Sequence, residues 1–562
     1  MYDSELRLRK GFEGNLILEK PGYFTLIYAR DSGELKADTP SKPSAFSEKV
    51  DLNTDAAKVA LTLGCNPQEI EYCFRILSGE HLLPFVRSVV ERNFPRAWPM
   101  TEAALATVAQ LFLEDQSACA ALTFQGPPAS LKTTVLSFFS GHPLTVWVDS
   151  FTPKAFVSHM ASVSEEQLQE QDLLPQIRNK VLVVPELAPI FTKPSENLEE
   201  TLGLLVRVFD GQGLSTVSGA RGKRGYEGDY RFAWLAATTP INYNVWRALA
   251  RLGSRWLFFE SDSEEITDAE LVQNVTSPQS YRERVEECRN AVVVLLDYLR
   301  FKHGGARSVR WKRNEKQQSA VIAQLARLLS HCRGDVGITH AKTLEGDAYF
   351  SFTMPVIEQP HRLVSLLYDL ARGRALLYGR ESIDNSDLPL VASVALASMP
   401  SDRAKLLQGL IENEGKLTSE DVQRLLKVSQ PTASRLMELF SALGVVEKED
   451  LGDVGFEGGR PKQVIVLNTR FKWLLDPAFR ELLHARTPET VNKTPEGCFI
   501  QESQVAREQK VRFLKDCPEF LNSQALSCGP FKEGEETILP ASSVQVLFKH
   551  GLVTNACMPI AD

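Results

Sequence analysis

Leu122-Thr123-Phe124-Gln125-Gly126-Pro127-Pro128-Ala129-Ser130-Leu131-Lys132-Thr133-Thr134 is the stretch on which the reading of this chain turns. A short apolar strand runs into a Gly-Pro-Pro loop, the loop ends in Lys-Thr, and Val135 to Phe139 opens an apolar helix. Strand, loop and helix in that order are the layout of a phosphate-binding P-loop. Backbone N–H groups and the positive end of the helix face the anion in such a loop. Lys132 is placed to reach the β- and γ-phosphates of ATP, and the Thr133 hydroxyl to hold Mg²⁺. Gly126, Pro127, Pro128, Ala129, Ser130, Leu131 and Thr134 complete the cradle. The pattern G-x-x-x-x-G-K-[ST] asks for Gly at position 131, and Leu stands there. A surface loop ahead of a helix gives a similar string, so the decision rests on the apolar runs further along the chain.

About fifty residues on, Val181-Leu182-Val183-Val184-Pro185-Glu186 is an apolar run closed by an acid. A run of that length suits a buried parallel strand. An acid at its C-terminal end lies where open α/β sheets bind ligands, and its work would be on Mg²⁺ or the attacking water. Phe232-Ala233-Trp234-Leu235-Ala236-Ala237-Thr238-Thr239-Pro240 is another buried strand, ending in Thr. Gly253-Ser254-Arg255-Trp256-Leu257-Phe258-Phe259-Glu260 sets one Arg before a further apolar run. Each piece alone reads as a core strand with a cap; the order and the intervals point further.

Together these motifs resemble an AAA+ ATPase, more narrowly the branch holding the minichromosome maintenance (MCM) helicases. That family's P-loop, G-D-P-G-x-A-K-S, is similar to Gly126–Thr133, with Leu131 in place of a smaller apolar residue. Its Asp-Glu strand end is here Pro185-Glu186. Its first sensor precedes a Pro, which implies Thr239. The Ser-Arg-Phe arginine finger is similar to Ser254-Arg255-Trp256. The second sensor implies Arg362, within Gln359-Pro360-His361-Arg362-Leu363. The resemblance covers roughly residues 100–400. It implies an AAA+ P-loop core of parallel sheet flanked by helices, a helical lid, and a homo-oligomer, a hexameric ring, in which Arg255 acts on the neighbouring subunit's site.

Composition fits that class without specifying it. The chain has 562 residues, 43% hydrophobic and 24% charged, values of an ordinary globular protein of three or four domains. No apolar run reaches transmembrane length, and the first residues lack a signal-peptide plan. Nine Cys without a C-x-x-C pair fit a reducing, cytoplasmic setting. A net charge of −8 excludes a strongly basic nucleic-acid binder, so any DNA contact must come from local patches.

Taken in order, the chain divides into a mixed, mainly helical N-terminal region (1–100), the ATPase core (101–265), the lid (266–400), a winged helix-turn-helix (401–485) and a C-terminal extension (486–562). Near the start, Lys20-Pro21-Gly22 marks a hairpin turn. Ser164-Glu165-Glu166-Gln167 begins a short acidic helix between the P-loop and Glu186. Gly213 to Asp229 reads as a β-hairpin with a Gly-rich, basic tip. Hairpins at that place in the MCM-like branch track DNA, which implies phosphate contacts from Arg221, Lys223 and Arg224; a solvated loop tip is the plainer reading. Arg300 to Arg313 carries six cations and no acid, suited to nucleic acid or to an exposed loop. In the winged helix, Gln430 and Arg435 lie near the start of the third helix, where major-groove readers make contacts, and Arg460 and Lys462 sit at the wing tip. Cys498, Cys517, Cys528, His550 and Cys557 could in principle bind Zn²⁺, but their long, irregular spacings favour plain thiols.

The sequence therefore predicts a ring-forming ATPase acting on DNA, with ATP and Mg²⁺ as ligands. Pro185 in place of an Asp opens a second reading, a slowly hydrolysing ATP-gated switch or scaffold, as in phage defence or mobile-element maintenance. A third is a winged-helix DNA-binding regulator.

Overall fold

The apolar runs read from the sequence become one parallel sheet. Its strands are β1 (Ala120–Gln125), β2 (Thr145–Trp147), β3 (Val181–Val184), β4 (Ala233–Thr238) and β5 (Leu257–Glu260), in spatial order β5-β1-β4-β3-β2. All neighbours pair in parallel. In this computed structural model the described residues are 82–484, apart from gaps at 161, 220–221, 254, 262–265, 304, 313–314, 343–347 and 451–462, together with strand segments between residues 7 and 38 and between residues 508 and 555 and the single residue 532.

Every residue of β1, β3 and β4 is buried. That burial explains why these strands read as continuous rather than alternating apolar runs: helices cover both faces of the sheet. One face sends Leu122, Phe124, Val183 and Leu235 against the helices Trp98–Ala109 and Lys132–Ser137. The other sends Leu182, Val184, Trp234 and Phe258 against the helices Ser195–Phe209 and Tyr243–Leu252. Aromatic rings dominate this second layer. Trp234 and Trp256 meet edge to face at 5.7 Å, and Phe209 lies 5.3 and 5.1 Å from them, the geometry that ring quadrupoles favour. The Trp256 indole N–H donates to Thr123 Oγ1 at 2.9 Å.

The Trp98–Ala109 helix belongs to this core. It is buried on almost all sides, as a helix without a polar face must be, so a boundary at residue 100 cuts through it. It lies against the helix His361–Leu377 at Gly373, where a Cβ would stand 2.1 Å from the Ala106 carbonyl oxygen. The two backbones could not approach so closely with any other residue there. Beside that contact the buried Arg372 guanidinium pairs with Asp369 and, at 2.5 Å, with Asp115. Two further long helices, Tyr281–His303 and Lys316–Arg333, follow the sheet in sequence.

Residues 401–484 hold three helices, Ser401–Glu412, Ser419–Leu426 and Gln430–Ala442, with a three-stranded antiparallel sheet, and end in a fourth helix, Pro477–His484. Gln463–Leu467 is its central strand, between Lys416–Thr418 and Val446–Asp450. Near the N-terminus, Leu16–Lys20 and Phe24–Ala29 pair antiparallel around the expected turn, within a four-stranded sheet. The chain divides into two compact units, Met1–Arg486 and Thr487–Asp562. In the second, Glu508–Phe513 pairs with Glu536–Pro540 and Val553–Asn555. The sequence also predicts helices capped near Asn53 and starting at Asn66, and a strand over Ser543–Phe548; these lie outside the described residues. Among the described residues no helix is long and apolar enough to cross a membrane.

Candidate active site

β1 delivers the loop Gly126–Leu131 to the C-terminal edge of the sheet, and the Lys132–Ser137 helix leaves from it. Leu131 has φ +61° and Ala129 φ +64°. An L-residue in the left-handed region costs roughly 1–2 kcal/mol, so the loop keeps a glycine-like path without glycine at these two positions. For Leu131 there is a visible offset: its side chain packs against the main hydrophobic core. At Gly126 a Cβ would stand 1.8 Å from Ser261 Oγ, so any side chain there would displace the Ser261 hydroxyl. The loop is tied down by Ser130 Oγ donating to the Pro127 carbonyl at 2.8 Å and by Ser261 Oγ donating to Ser130 Oγ at 2.9 Å.

Lys132 is 6% exposed, and its ammonium curls back onto this loop. It donates to the carbonyls of Gly126 (2.9 Å) and Pro127 (2.5 Å) and to Ser130 Oγ (3.0 Å). Burial lowers its pKa, and the charge of Glu186 works in the opposite direction, so the cation and the acid at the end of β3 share one electrostatic site. Glu186 is exposed, and its Oε1 accepts from the Ala188 N–H at 2.8 Å. Thr133 is exposed, whereas Thr134 is buried and its hydroxyl bonds Tyr281 at 2.7 Å. That bond ties the P-loop helix to the Tyr281–His303 helix and removes Thr134 from the ligand side of the loop.

Thr239 stands half-buried just beyond β4. The residue before it, Thr238, stands out on geometry. It pairs in register with Gln125, its carbonyl accepts from the Gly126 N–H at 3.3 Å, and it is 1% exposed. Its hydroxyl and the Gln125 side-chain carbonyl are both buried without a partner among the described residues. Orphaned buried groups cost about 1–3 kcal/mol each, and a pair of them beside a phosphate loop is a place for a ligand or its water. Sequence alone marks only the last Thr before the Pro; the register with Gln125 is what singles out Thr238.

These groups fit a nucleotide with Mg²⁺. An exposed Thr hydroxyl and an exposed carboxylate are the sparse protein oxygens that suffice for Mg²⁺, which takes its other ligands from phosphates and water. Among the described residues no group of three or more His, Cys, Asp or Glu side chains could cage a metal; of the five Cys and His residues named in the C-terminal extension, only Cys528 is described.

Arg255 and Arg362 sit at the opposite edge of the sheet. Arg255 precedes β5, five residues from the P-loop edge, roughly 17 Å at about 3.3 Å per residue. Its Nε donates to Asp210 Oδ1 at 2.7 Å and its Nη1 to the Gly253 carbonyl at 2.7 Å. Arg362 Nη1 donates to the same carbonyl at 3.0 Å. A Cβ on Gly253, whose φ is +68°, would stand 2.8 Å from that Nη1. The structure therefore brings Lys132, Thr133, Glu186 and Thr239 to one edge and the two arginines to the other. Asp210 and Gly253 are the positioning partners that motif reading misses, and no spacing rule announces either.

The hairpin forms as expected, Gly213–Ser218 paired with Gly222–Glu227, but its cations divide. Lys223 is exposed, with Glu227 at 3.4 Å. Arg224 faces inward, 9% exposed, ion-paired to the fully buried Asp172 and donating to the Ser158 carbonyl at 2.8 Å. Phosphate contact by Arg224 is accordingly corrected: its partner Asp172 is fully buried and is held by Tyr226 and the Ser158 N–H as well, whereas Asp210, the partner of the equally buried Arg255, is only half-buried. Tyr226, whose pKa is pushed up to about 12 by burial and by its bond to Asp172, completes the cluster. Gln430 and Arg435 are both exposed at the start of their helix. Arg221, Arg460 and Lys462 lie outside the described residues.

No protein-family model matches this chain, and no curated protein matches it.

Proposed function

We propose that this chain is an ATPase of the MCM-like AAA+ kind, which assembles head to tail and couples ATP to work on DNA. The observation that carries the reading is the separation of the two charged edges. Lys132, Thr133 and Glu186 make a phosphate site at the C-terminal ends of β1 and β3, while Arg255 and Arg362 converge on Gly253 roughly 17 Å away. A subunit cannot bring those arginines to its own phosphates, but a neighbour in a heterologous assembly can. In the proposed role Lys132 and the loop amides bind the triphosphate, Thr133 and Glu186 hold Mg²⁺, and Thr239, with Thr238 behind it, meets the γ-phosphate. The neighbour's Arg255 and Arg362 offset the charge that develops on transfer to water. Bound Mg²⁺ would supply neutralisation of the phosphate oxygens.

DNA would be met by Lys223 on the hairpin and by Gln430 and Arg435 on the 401–484 segment. The helix-strand-helix-helix-strand-strand order of that segment supports the winged-helix reading. ATP hydrolysis by wild type, Lys132→Ala and Arg255→Ala, with and without DNA and with mass measured in parallel, tests the proposal. DNA-stimulated turnover lost in both variants is expected; equal turnover in all three would overturn it.

One observation favours the slow-switch reading as the alternative. Pro185 stands where an Asp could share the Mg²⁺, and the Glu186 carboxylate is already engaged by the Ala188 amide. Tight ATP binding and ring assembly with turnover below about one per minute, far under the usual enzyme range, would select it.

A further inference from the structure

A cavity of about 260 Å³ opens at the edge of the sheet away from the P-loop, between the residues preceding β2 and β3 and the loop after the Tyr281–His303 helix. Three charged side chains line it, Arg178, Lys180 and Arg300, and all are cations. Their charges are poorly matched. Among the described residues Arg300 has only a distant carboxylate, Asp297 at 4.0 Å. Arg178 lies over the Tyr230 ring at 5.2 Å, and neither it nor Lys180 has an ion pair among the described residues. The neighbouring cations of the same basic stretch behave differently: Arg307 pairs with Asp229 and Arg310 with Glu114 at 2.9 Å. At the lip, Gly305 has φ +110° and open space around the position of a Cβ.

Three poorly matched cations around one concavity, in a chain of net charge −8, repel one another unless an anion joins them. Tyr230, whose ring lies under Arg178, and Asp229, which pairs with Arg307, lie at the base of the hairpin that exposes Lys223. We infer that Arg178, Lys180 and Arg300 form a phosphate-binding site, separate from the P-loop, that grips the backbone of a nucleic acid strand running along the hairpin base. The strand as the source of the phosphate rests on the function proposed above; the anion chemistry of the cavity does not.

The test is binding of a fluorescent single-stranded oligonucleotide by the full chain across a salt series. Wild type is compared with Arg178→Ala, Lys180→Ala, Arg300→Ala, the double reversal Arg178→Glu/Arg300→Glu and a control, Lys405→Ala, at an exposed position elsewhere. Arg178 and Arg300 are exposed, so these changes leave the core intact; thermal melting checks it. Each alanine should lower the slope of log K against log salt by about 0.7, the single-strand value per phosphate lost. The reversal should cost at least tenfold in affinity at low salt, and inorganic pyrophosphate should compete. Folded variants with wild-type affinity and slope would overturn the site while leaving DNA binding standing. If the chain binds no oligonucleotide, pyrophosphate binding is measured in a Lys132→Ala background. Loss of that binding in the reversal variant keeps the phosphate site and makes its ligand a free phosphate; no binding there overturns the inference.

Discussion

The two edges of the sheet handle charge in opposite ways. At the P-loop edge the protein leaves groups unfinished: an exposed Thr133, an exposed Glu186, a buried Thr238 hydroxyl without a partner among the described residues, and a lysine folded onto carbonyls it can leave. At the far edge the charges are already satisfied, with Arg255 held by Asp210 and by the same Gly253 carbonyl that holds Arg362. Burial lowers the Arg255 pKa and Asp210 works to restore it. On the proposed function, one edge receives the nucleotide and the other is presented to a neighbour as a preformed unit. Strain follows the same division. The P-loop bends two non-glycine residues into the left-handed region, whereas the arginine edge uses a true glycine for its turn.

Each edge can be attacked separately. Lys132→Ala should remove nucleotide binding and bring hydrolysis to background, a loss of at least about 10³-fold, since the proposed phosphate site loses its buried cation; nucleotide titration and phosphate release check both. Arg255→Ala should also cost about 10³-fold in turnover, as loss of an arginine finger does, yet leave ATP affinity within a few-fold. Equal losses of affinity in the two variants would merge the edges into one site. Asp172→Ala should destabilise the protein by about 3–5 kcal/mol, because it strands the buried Arg224 without its counter-charge; denaturant unfolding reads this, and a change under about 1 kcal/mol, the scale of an exposed pair, would return Arg224 to the candidates for DNA contact. Gly253→Ala should cost about 1–2 kcal/mol in strain and lower turnover more than affinity, through displaced Arg362. Smallest of all, Lys223→Ala should reduce the salt slope of single-strand binding by about 0.7 with no change in ATP affinity.

Much of this was legible in the letters, for a physical reason. Parallel strands covered on both faces are written as unbroken apolar runs, so Val181–Val184 and Ala233–Thr238 could be placed within a residue or two. The candidate phosphate loop is marked in the sequence by Gly126 and Lys132, and the structure accounts for Leu131 at a glycine position through its packing. What stays hidden depends on contacts far apart in sequence. Asp172 lies 52 residues from Arg224, and no periodicity links them. Asp210 ends a helix and reads as solvent-facing until it meets Arg255. A boundary at residue 100 splits the Trp98–Ala109 helix because a helix apolar on every side has no stripe to mark where the core begins.

On this account one subunit's phosphate site is completed by the next subunit's arginines. Mixing Lys132→Ala with Arg255→Ala puts that to the test. The first keeps its arginines and the second keeps its P-loop. Each alone should be inactive, and an equal mixture should regain turnover at roughly one site in four, the share of head-to-tail interfaces that join the two intact halves. A mixture that stays as inactive as its components, while native mass shows mixed assemblies, would refute completion by a neighbour.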